Sequence, residues 1–199
     1  ISKALRSADH KKLVHLPPGV DINFFSPGEK PNYLIERYRL EGKRVILCVG
    51  RIVQRKGQDS VIEAMKILHE THPDVQLLIV GKGNYENSLR KKVSQLNLDQ
   101  SVSFLGRVAY EELPDHFRLA EVFASPTRDR FGGLEVEGLG IVYLEASAAG
   151  IAVLAGDSGG APDAVQDGVT GRVVDGRNIN QIARTLDELL NTNELTARM

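Results

Sequence analysis

Short apolar runs alternate along the chain with longer stretches in which apolar residues recur every three or four positions. That alternation predicts βα units and a parallel sheet buried on both faces, because a strand covered by helices above and below reads as a continuous apolar run. Strands are expected at residues 13–16, 45–49, 75–80, 102–104, 122–124, 152–155 and 171–174. The clearest helices are expected at 57–71, where Val61, Ala64, Met65 and Leu68 share a face, and at 178–190, where Ile182, Leu186, Leu189 and Leu190 do. Pro17-Pro18-Gly19 ends the first strand in a turn. No internal repeat and no low-complexity segment breaks the pattern, so residues 1–199 are read as a single α/β domain with helices on both faces of its sheet.

With 199 residues, 42% of them hydrophobic, the chain can bury a core of that size. A formal net charge of -1 and a pI near 6.6 leave no electrostatic footprint for nucleic acid, so no nucleic-acid partner is expected and any anion must be met by locally placed cations. The single cysteine, Cys48, cannot form an intrachain disulfide; it lies inside the apolar run 45–49, reads as core, and fits a reducing cytoplasm. No apolar run has the length of a membrane span. The chain opens with neither an initiating Met nor a signal-peptide core, and is read as beginning inside a longer protein.

An open parallel sheet binds its ligands in the crevice outside the carboxyl ends of its strands, so the loops after the strands are where chemistry is sought. The strand at 45–49 runs into Gly50-Arg51-Ile52-Val53-Gln54-Arg55-Lys56-Gly57, which places cations there just before a helix. A diphosphate suits that placement: Arg51 can fork onto two oxygens, Lys56 supplies a point charge, and a helix N-terminus adds N–H groups. The plainer reading is a solvated cluster of Arg51, Arg55 and Lys56. After the next strand, Gly81-Lys82-Gly83 is read as a ligand-side loop, although glycines after a strand also simply turn the chain.

The most informative stretch runs from Phe131 to Ala146, F-G-G-L-E-V-E-G-L-G-I-V-Y-L-E-A. Four glycines among its first ten residues are incompatible with a regular helix, whereas 141–149 is a good one. Glu137 therefore belongs to an approach loop and Glu145 lies about a turn inside the helix. Backbone N–H groups around Gly138, Leu139, Gly140 and Ile141 suit phosphate or sugar oxygens, Glu145 can accept from vicinal ribose hydroxyls, and Glu137 can reach a sugar ring. A metal site, an acid/base pair of the hydrolase kind and plain surface acids are the alternatives. No His or Cys flanks these glutamates, which disfavours the metal, and surface charge alone leaves the glycines unexplained.

E-G-L-G-I-V-Y-L-E is an E-x7-E motif and, with G-R-x4-K-G upstream, resembles the C-terminal domain of retaining GT-B glycosyltransferases. The longer string R-F-G-G-L-E-V-E-G-L-G-I-V-Y-L-E-A is most similar to mannosyltransferases that act on phosphatidylinositol mannosides with GDP-mannose as donor. The likeness continues through Ser158-Gly159-Gly160-Ala161-Pro162 and Gly168-Val169-Thr170-Gly171 and covers nearly the whole chain. It implies a Rossmann-like sheet forming the C-terminal half of a GT-B fold, and a sugar-nucleotide donor, GDP-mannose, as substrate with no resident cofactor and no metal. It assigns the donor diphosphate and the charge on the departing nucleotide to Arg51 and Lys56, the ribose to Glu145 and the transferred sugar to Glu137, helped by the backbone from Gly138 to Ile141. The base is expected beside Gly106-Arg107-Val108, with Glu111 read either as an acceptor for guanine protons or as a first-turn helix acid. His15, His69, His72 and His116 carry no partner motif and are read as structural or surface imidazoles.

The resemblance also implies a preceding domain of similar size that binds the acceptor, a phosphatidylinositol mannoside, and a final helix crossing back to it; both are expected to lie outside residues 1–199. On that reading the fragment binds nucleotide weakly, transfers nothing alone, and reaches the cytoplasmic face of a membrane only peripherally, through the other half. Two competing readings are a nucleotide-sugar epimerase or isomerase and a non-catalytic nucleotide-binding module.

Overall fold

The computed structural model describes residues 18–191, and the strand expected at 13–16 lies outside them. Six strands are present among the described residues: β1 Arg44–Val49, β2 Val75–Val80, β3 Val102–Gly106, β4 Val122–Ser125, β5 Ala152–Gly156 and β6 Gly171–Val174. They form one parallel sheet in the order β3-β2-β1-β4-β5-β6. Each contains an apolar run read from the sequence, lengthened by at most two residues at an end.

The strands alternate between two cores, as the period of two requires. Ile46, Cys48, Leu77, Ile79, Val122, Ala124, Ala152 and Leu154 face one core, which is closed by α2 Gln58–Leu68, α3 Glu86–Gln95 and α7 Ile179–Asn191. Val45, Leu47, Leu78, Val80, Phe123, Val153 and Ala155 face the other. That second core is closed by α1 Asn32–Tyr38, α4 Leu113–Leu119, α5 Ile141–Ala148 and the short α6 Ala161–Ala164. Cys48 is a core residue as expected, and burial pushes its thiol up to about 12. Among the described residues no helix is long and apolar enough to cross a membrane.

The two clearest helices are shifted at their ends for identifiable reasons. The one expected from Gly57 starts at Gln58, because Gly57 is left-handed, with φ of 74°, and closes a short 3₁₀ turn, Gln54–Lys56. It stops at Leu68, and the chain then turns back toward β2. The one expected from Asn178 starts at Ile179, because the Asn178 side chain caps it by accepting the Gln181 N–H at 3.0 Å. Its apolar stripe, Ile182, Ala183, Leu186 and Leu189, packs on α2.

The described histidines are structural. His116 is fully buried, donates from Nδ1 to the Glu112 carbonyl at 2.7 Å and accepts the Tyr38 hydroxyl at 3.0 Å. The His69 Nε2 donates to the Val75 carbonyl at 2.9 Å. His72 links Asp187, 2.5 Å from its Nε2, to Arg44, 2.8 Å from its Nδ1. His15 lies outside the described residues.

Arg44 also pairs with Asp74 through Nε at 2.7 Å and Nη2 at 2.9 Å, a fork that holds the Asp74 carboxyl at about 2 against an ordinary 3.8. Because the folded value is the lower one, the stabilisation is complete above pH 3.8 and is lost as pH falls through about 2. Asp74→Asn is expected to remove the part of the acid-unfolding curve that lies in this window while leaving the curve above pH 5 parallel to wild type, as followed by circular dichroism.

Candidate functional site

β1 and β4 are neighbours in the sheet, but β1 is followed toward β2 on one side and β4 toward β5 on the other, so the chain direction reverses between them. A sheet of this order opens its crevice at that point, outside the carboxyl ends of β1 and β4. The loop 50–57 leaves β1 there and the loop 126–140 leaves β4 there. Both informative sequence motifs are therefore delivered to one place.

The two loops are locked together by their backbones. A Cβ on Gly57 would lie 2.1 Å from the Pro126 carbonyl oxygen, so only glycine permits the approach. The Arg55 carbonyl accepts the Arg128 N–H at 2.9 Å. The Arg128 guanidinium reaches back to α2, donating to Asp59 at 2.6 Å and to the Ser60 hydroxyl at 2.8 Å. The N-terminus of α2 is thus already provided with an acid, Asp59, in its first turn.

At the centre lies a buried charge cluster. Lys56 is 8% exposed and Glu137 is 6% exposed, and the Lys56 ammonium is 2.9 Å from Glu137 Oε2. The same oxygen takes the Arg55 guanidinium. Arg55 also approaches Glu135 at 3.8 Å, and Glu135 pairs with Arg130 at 2.9 Å. Three cations and two carboxylates leave this network positive, a balance that favours an added anion. Burial pushes the Lys56 ammonium below its ordinary value, with Arg55 and Arg51 acting the same way against Glu137. Burial would raise the Glu137 carboxyl, but Lys56 and Arg55 outweigh it and hold the group below its ordinary value, so it stays ionised.

Glu137 is placed by its backbone as well as by its charge partners. Its N–H donates to the Ser158 hydroxyl at 3.2 Å, and that hydroxyl donates to Asp129 at 2.6 Å. The Gly160 N–H is shared between the Glu137 carbonyl at 3.2 Å and the Gly138 carbonyl at 2.8 Å. Gly159 passes so close that a Cβ there would sit 1.9 Å from the Glu137 carbonyl oxygen. Beneath the loop, the fully buried Tyr143 donates to the Ser125 carbonyl at 2.7 Å, which seats α5 against the end of β4.

The helix carrying Glu145 begins at Ile141, after Gly140 at φ of 73°, so its first N–H groups have no acceptor within the helix. A Cβ on Gly138 would meet nothing within 4 Å, so this position borders open space. Glu145 is half-buried on α5 and no ion pair or hydrogen bond reaches its carboxyl group among the described residues; burial alone raises it. The two glutamates thus differ in kind: one is a paired anion inside a charge cluster, the other an unpaired carboxyl on a helix.

Among the described residues no side-chain hydrogen bond or ion pair joins the remaining expected site residues to this cluster. Arg51 is exposed beside it. Gly81 follows β2 and lies against the β1 loop, where a Cβ would sit 1.9 Å from the Gly50 carbonyl oxygen; that packing alone accounts for the glycine. Arg107 is exposed after β3, two strands away from β1, and Val108 packs against the second core. Glu111 lies in a 3₁₀ turn, Tyr110–Glu112, as a first-turn acid. Sequence reasoning treated Arg55 only as part of a solvated cluster, and it missed Ser158, Asp129 and Arg128. For Arg55 the signal was its place beside Lys56; the others act through contacts 21 to 69 residues apart in the chain and left no local trace. Among the described residues no group of three or more His, Cys, Asp or Glu side chains is gathered as a metal ion would need.

Comparison with known proteins identifies the family and the fold. The family described as "Glycosyl transferases group 1" matches residues 33–199. A GDP-mannose-dependent alpha-(1-6)-phosphatidylinositol monomannoside mannosyltransferase of Mycolicibacterium smegmatis is 49% identical over 179 residues, 89% of this chain and 47% of that protein. A GDP-mannose-dependent monoacylated alpha-(1-6)-phosphatidylinositol monomannoside mannosyltransferase of Corynebacterium glutamicum is 46% identical over 184 residues, 91% of this chain and 48% of that protein. The chain spans about half the length of the curated relatives it matches. Among solved structures, the C-terminal domain of a glycosyl transferase group 1 family protein of Francisella tularensis superposes with a TM-score of 0.77 at 29% identity, covering 90% of this chain and 92% of that one. A glycosyltransferase of Rickettsia africae, at 22% identity, shares the fold with a TM-score of 0.82 over 99% of this chain and 53% of its own. The chain therefore belongs to the glycosyl transferases group 1 family, and its Rossmann-like sheet is that of the C-terminal half of the GT-B fold.

Proposed function

We propose that this chain is the donor-binding domain of a mannosyltransferase, holding GDP-mannose at the crevice between β1 and β4 for transfer to a phosphatidylinositol mannoside. The observation that carries the proposal is the buried Lys56–Glu137 pair, 2.9 Å apart, which joins the two motif loops at that crevice. Relatives 49% and 46% identical to the chain over the aligned residues are named for that donor and that acceptor class. The acceptor falls to a second domain, and contact with the cytoplasmic face of a membrane would come through it.

In this reading Lys56 and the exposed Arg51 take the diphosphate. The bond between the sugar's anomeric carbon and the β-phosphate oxygen breaks with its electron pair going to that oxygen, the acceptor hydroxyl oxygen bonds to that carbon, and the hydroxyl proton passes to the departing phosphate. Charge gathers on the departing phosphate, where prearranged cations lower the barrier most. Their presence supports a transfer that uses no metal; retention of the anomeric configuration rests on the resemblance of the two motifs to those of retaining enzymes. Glu137 presents to the sugar hydroxyls the oxygen that its two cations do not use. Glu145 is a free acceptor for the ribose, and the backbone from Gly138 to Ile141 supplies donors between them. Arg107 and Val108 border the base.

Lys56→Ala is expected to weaken GDP binding by about 10-fold or more, the scale of one charge-assisted hydrogen bond. The same change in the full enzyme should lower mannosyl transfer to phosphatidylinositol mannoside by ~10²-fold. Calorimetric titration and a transfer assay check the two, and unchanged values in both would remove Lys56 from the site. Glu145→Gln should raise the melting temperature of the nucleotide-free protein at pH 7 while weakening GDP binding. Burial raises the Glu145 carboxyl, so its ionisation opposes folding above the ordinary value of 4.5; the gain should shrink as pH falls toward 4.5. Melting curves across pH, with and without GDP, measure both effects.

A further inference from the structure

Glu137 directs one oxygen, Oε2, at two cations, the Arg55 guanidinium and the Lys56 ammonium, and all three side chains are nearly buried, at 7%, 11% and 10% exposure. A single cation would suffice to neutralise one carboxylate. Under the donor reading above, on which this inference rests, Lys56 must also turn its charge to a diphosphate. A buried carboxylate left without a counter-charge is strongly unfavourable, so Glu137 resists losing Lys56 unless another cation stays with it.

We infer that Arg55 is the positioning residue that stays with Glu137 and thereby releases Lys56 to the diphosphate of the donor. Arg55 is built to remain. Its carbonyl is held by the Arg128 N–H at 2.9 Å, and Arg128 is anchored in turn on Asp59 at 2.6 Å. Its guanidinium lies between Glu137 and Glu135, with Nη1 on the first and Nε 3.8 Å from the second, so two carboxylates hold it in place. Among the described residues Lys56 is tied by its side chain only to Glu137, and it can change partner by rotation of a flexible stem. The paired arrangement of Lys56 and Glu137 is thus one end of an exchange in which Lys56 passes from carboxylate to phosphate while Arg55 keeps the carboxylate ionised and aimed at the sugar.

The exchange makes a prediction that a merely structural role does not. In Arg55→Met, Glu137 has only Lys56 and keeps it, so GDP affinity measured by calorimetry should fall about 10-fold or more. Removing the carboxylate as well, in R55M/E137Q, frees Lys56 and should return GDP affinity close to wild type. Arg55→Lys, which keeps the charge, should fall between wild type and R55M. If R55M binds GDP as wild type does, or if R55M/E137Q remains as weak as R55M, the inference is overturned and the donor reading stands. If wild-type protein binds none of GDP, UDP and ADP, the donor reading itself fails and the inference with it. Circular dichroism melts confirm folding, and should R55M not fold, Arg55→Gln with and without E137Q makes the same comparison with a polar side chain.

Discussion

A carboxylate that is almost wholly removed from water must keep a positive partner, and Glu137 meets this requirement with cations that arrive on a different loop. Desolvation makes any loss of that pairing costly, so the loop after β1 and the loop after β4 are tied to each other by electrostatics as well as by packing. The parallel sheet carries the two loops to the same place, because β1 and β4 are adjacent and their connections diverge. Backbone contacts then bring them near enough to pair. At Gly57 one loop passes against the Pro126 carbonyl, and at Gly159 the next loop passes against the carbonyl of Glu137 itself, approaches that a side chain would forbid.

Around this cluster the chain spends polar groups on position. Ser158 holds the Glu137 N–H and is itself held by Asp129, while Arg128 ties the β4 loop to Asp59 and Ser60 at the start of α2. None of these side chains need touch a ligand to matter. They restrict where Glu137, Arg55 and Lys56 can stand relative to each other, and prearranged charge is what a reaction releasing a phosphate leaving group draws upon.

The two glutamates of the motif show how one residue type is given two characters by its surroundings. Cations hold Glu137 below its ordinary value and keep it charged, whereas burial without a partner raises Glu145. An unpaired, half-buried carboxylate opposes folding. A paired one supports the fold and resists rearrangement. Burial without a partner therefore costs stability at Glu145, whereas pairing contributes it at Lys56 and Glu137.

Period and composition alone made much of this legible. The strands from Arg44 to Val174 stand where apolar runs predicted them, since a strand buried on both faces has no choice but to be apolar throughout. The starts of the two clearest helices were off by one residue where a local device decided them, left-handed Gly57 and the capping Asn178. Spacing placed Glu137 on a loop and Glu145 within a helix, and the motifs pointed to a glycosyltransferase. Arg55, Ser158, Asp129 and Arg128 stayed hidden in the sequence because their meaning lies in partners far away along the chain. What the sequence by itself determined was which segments must be buried, and so the sheet and its covering helices, while the resemblance of its two motifs indicated the family. Only the tertiary structure decided which charges meet, because ion pairing falls off over a few ångströms, and the folding of two loops against each other sets that distance.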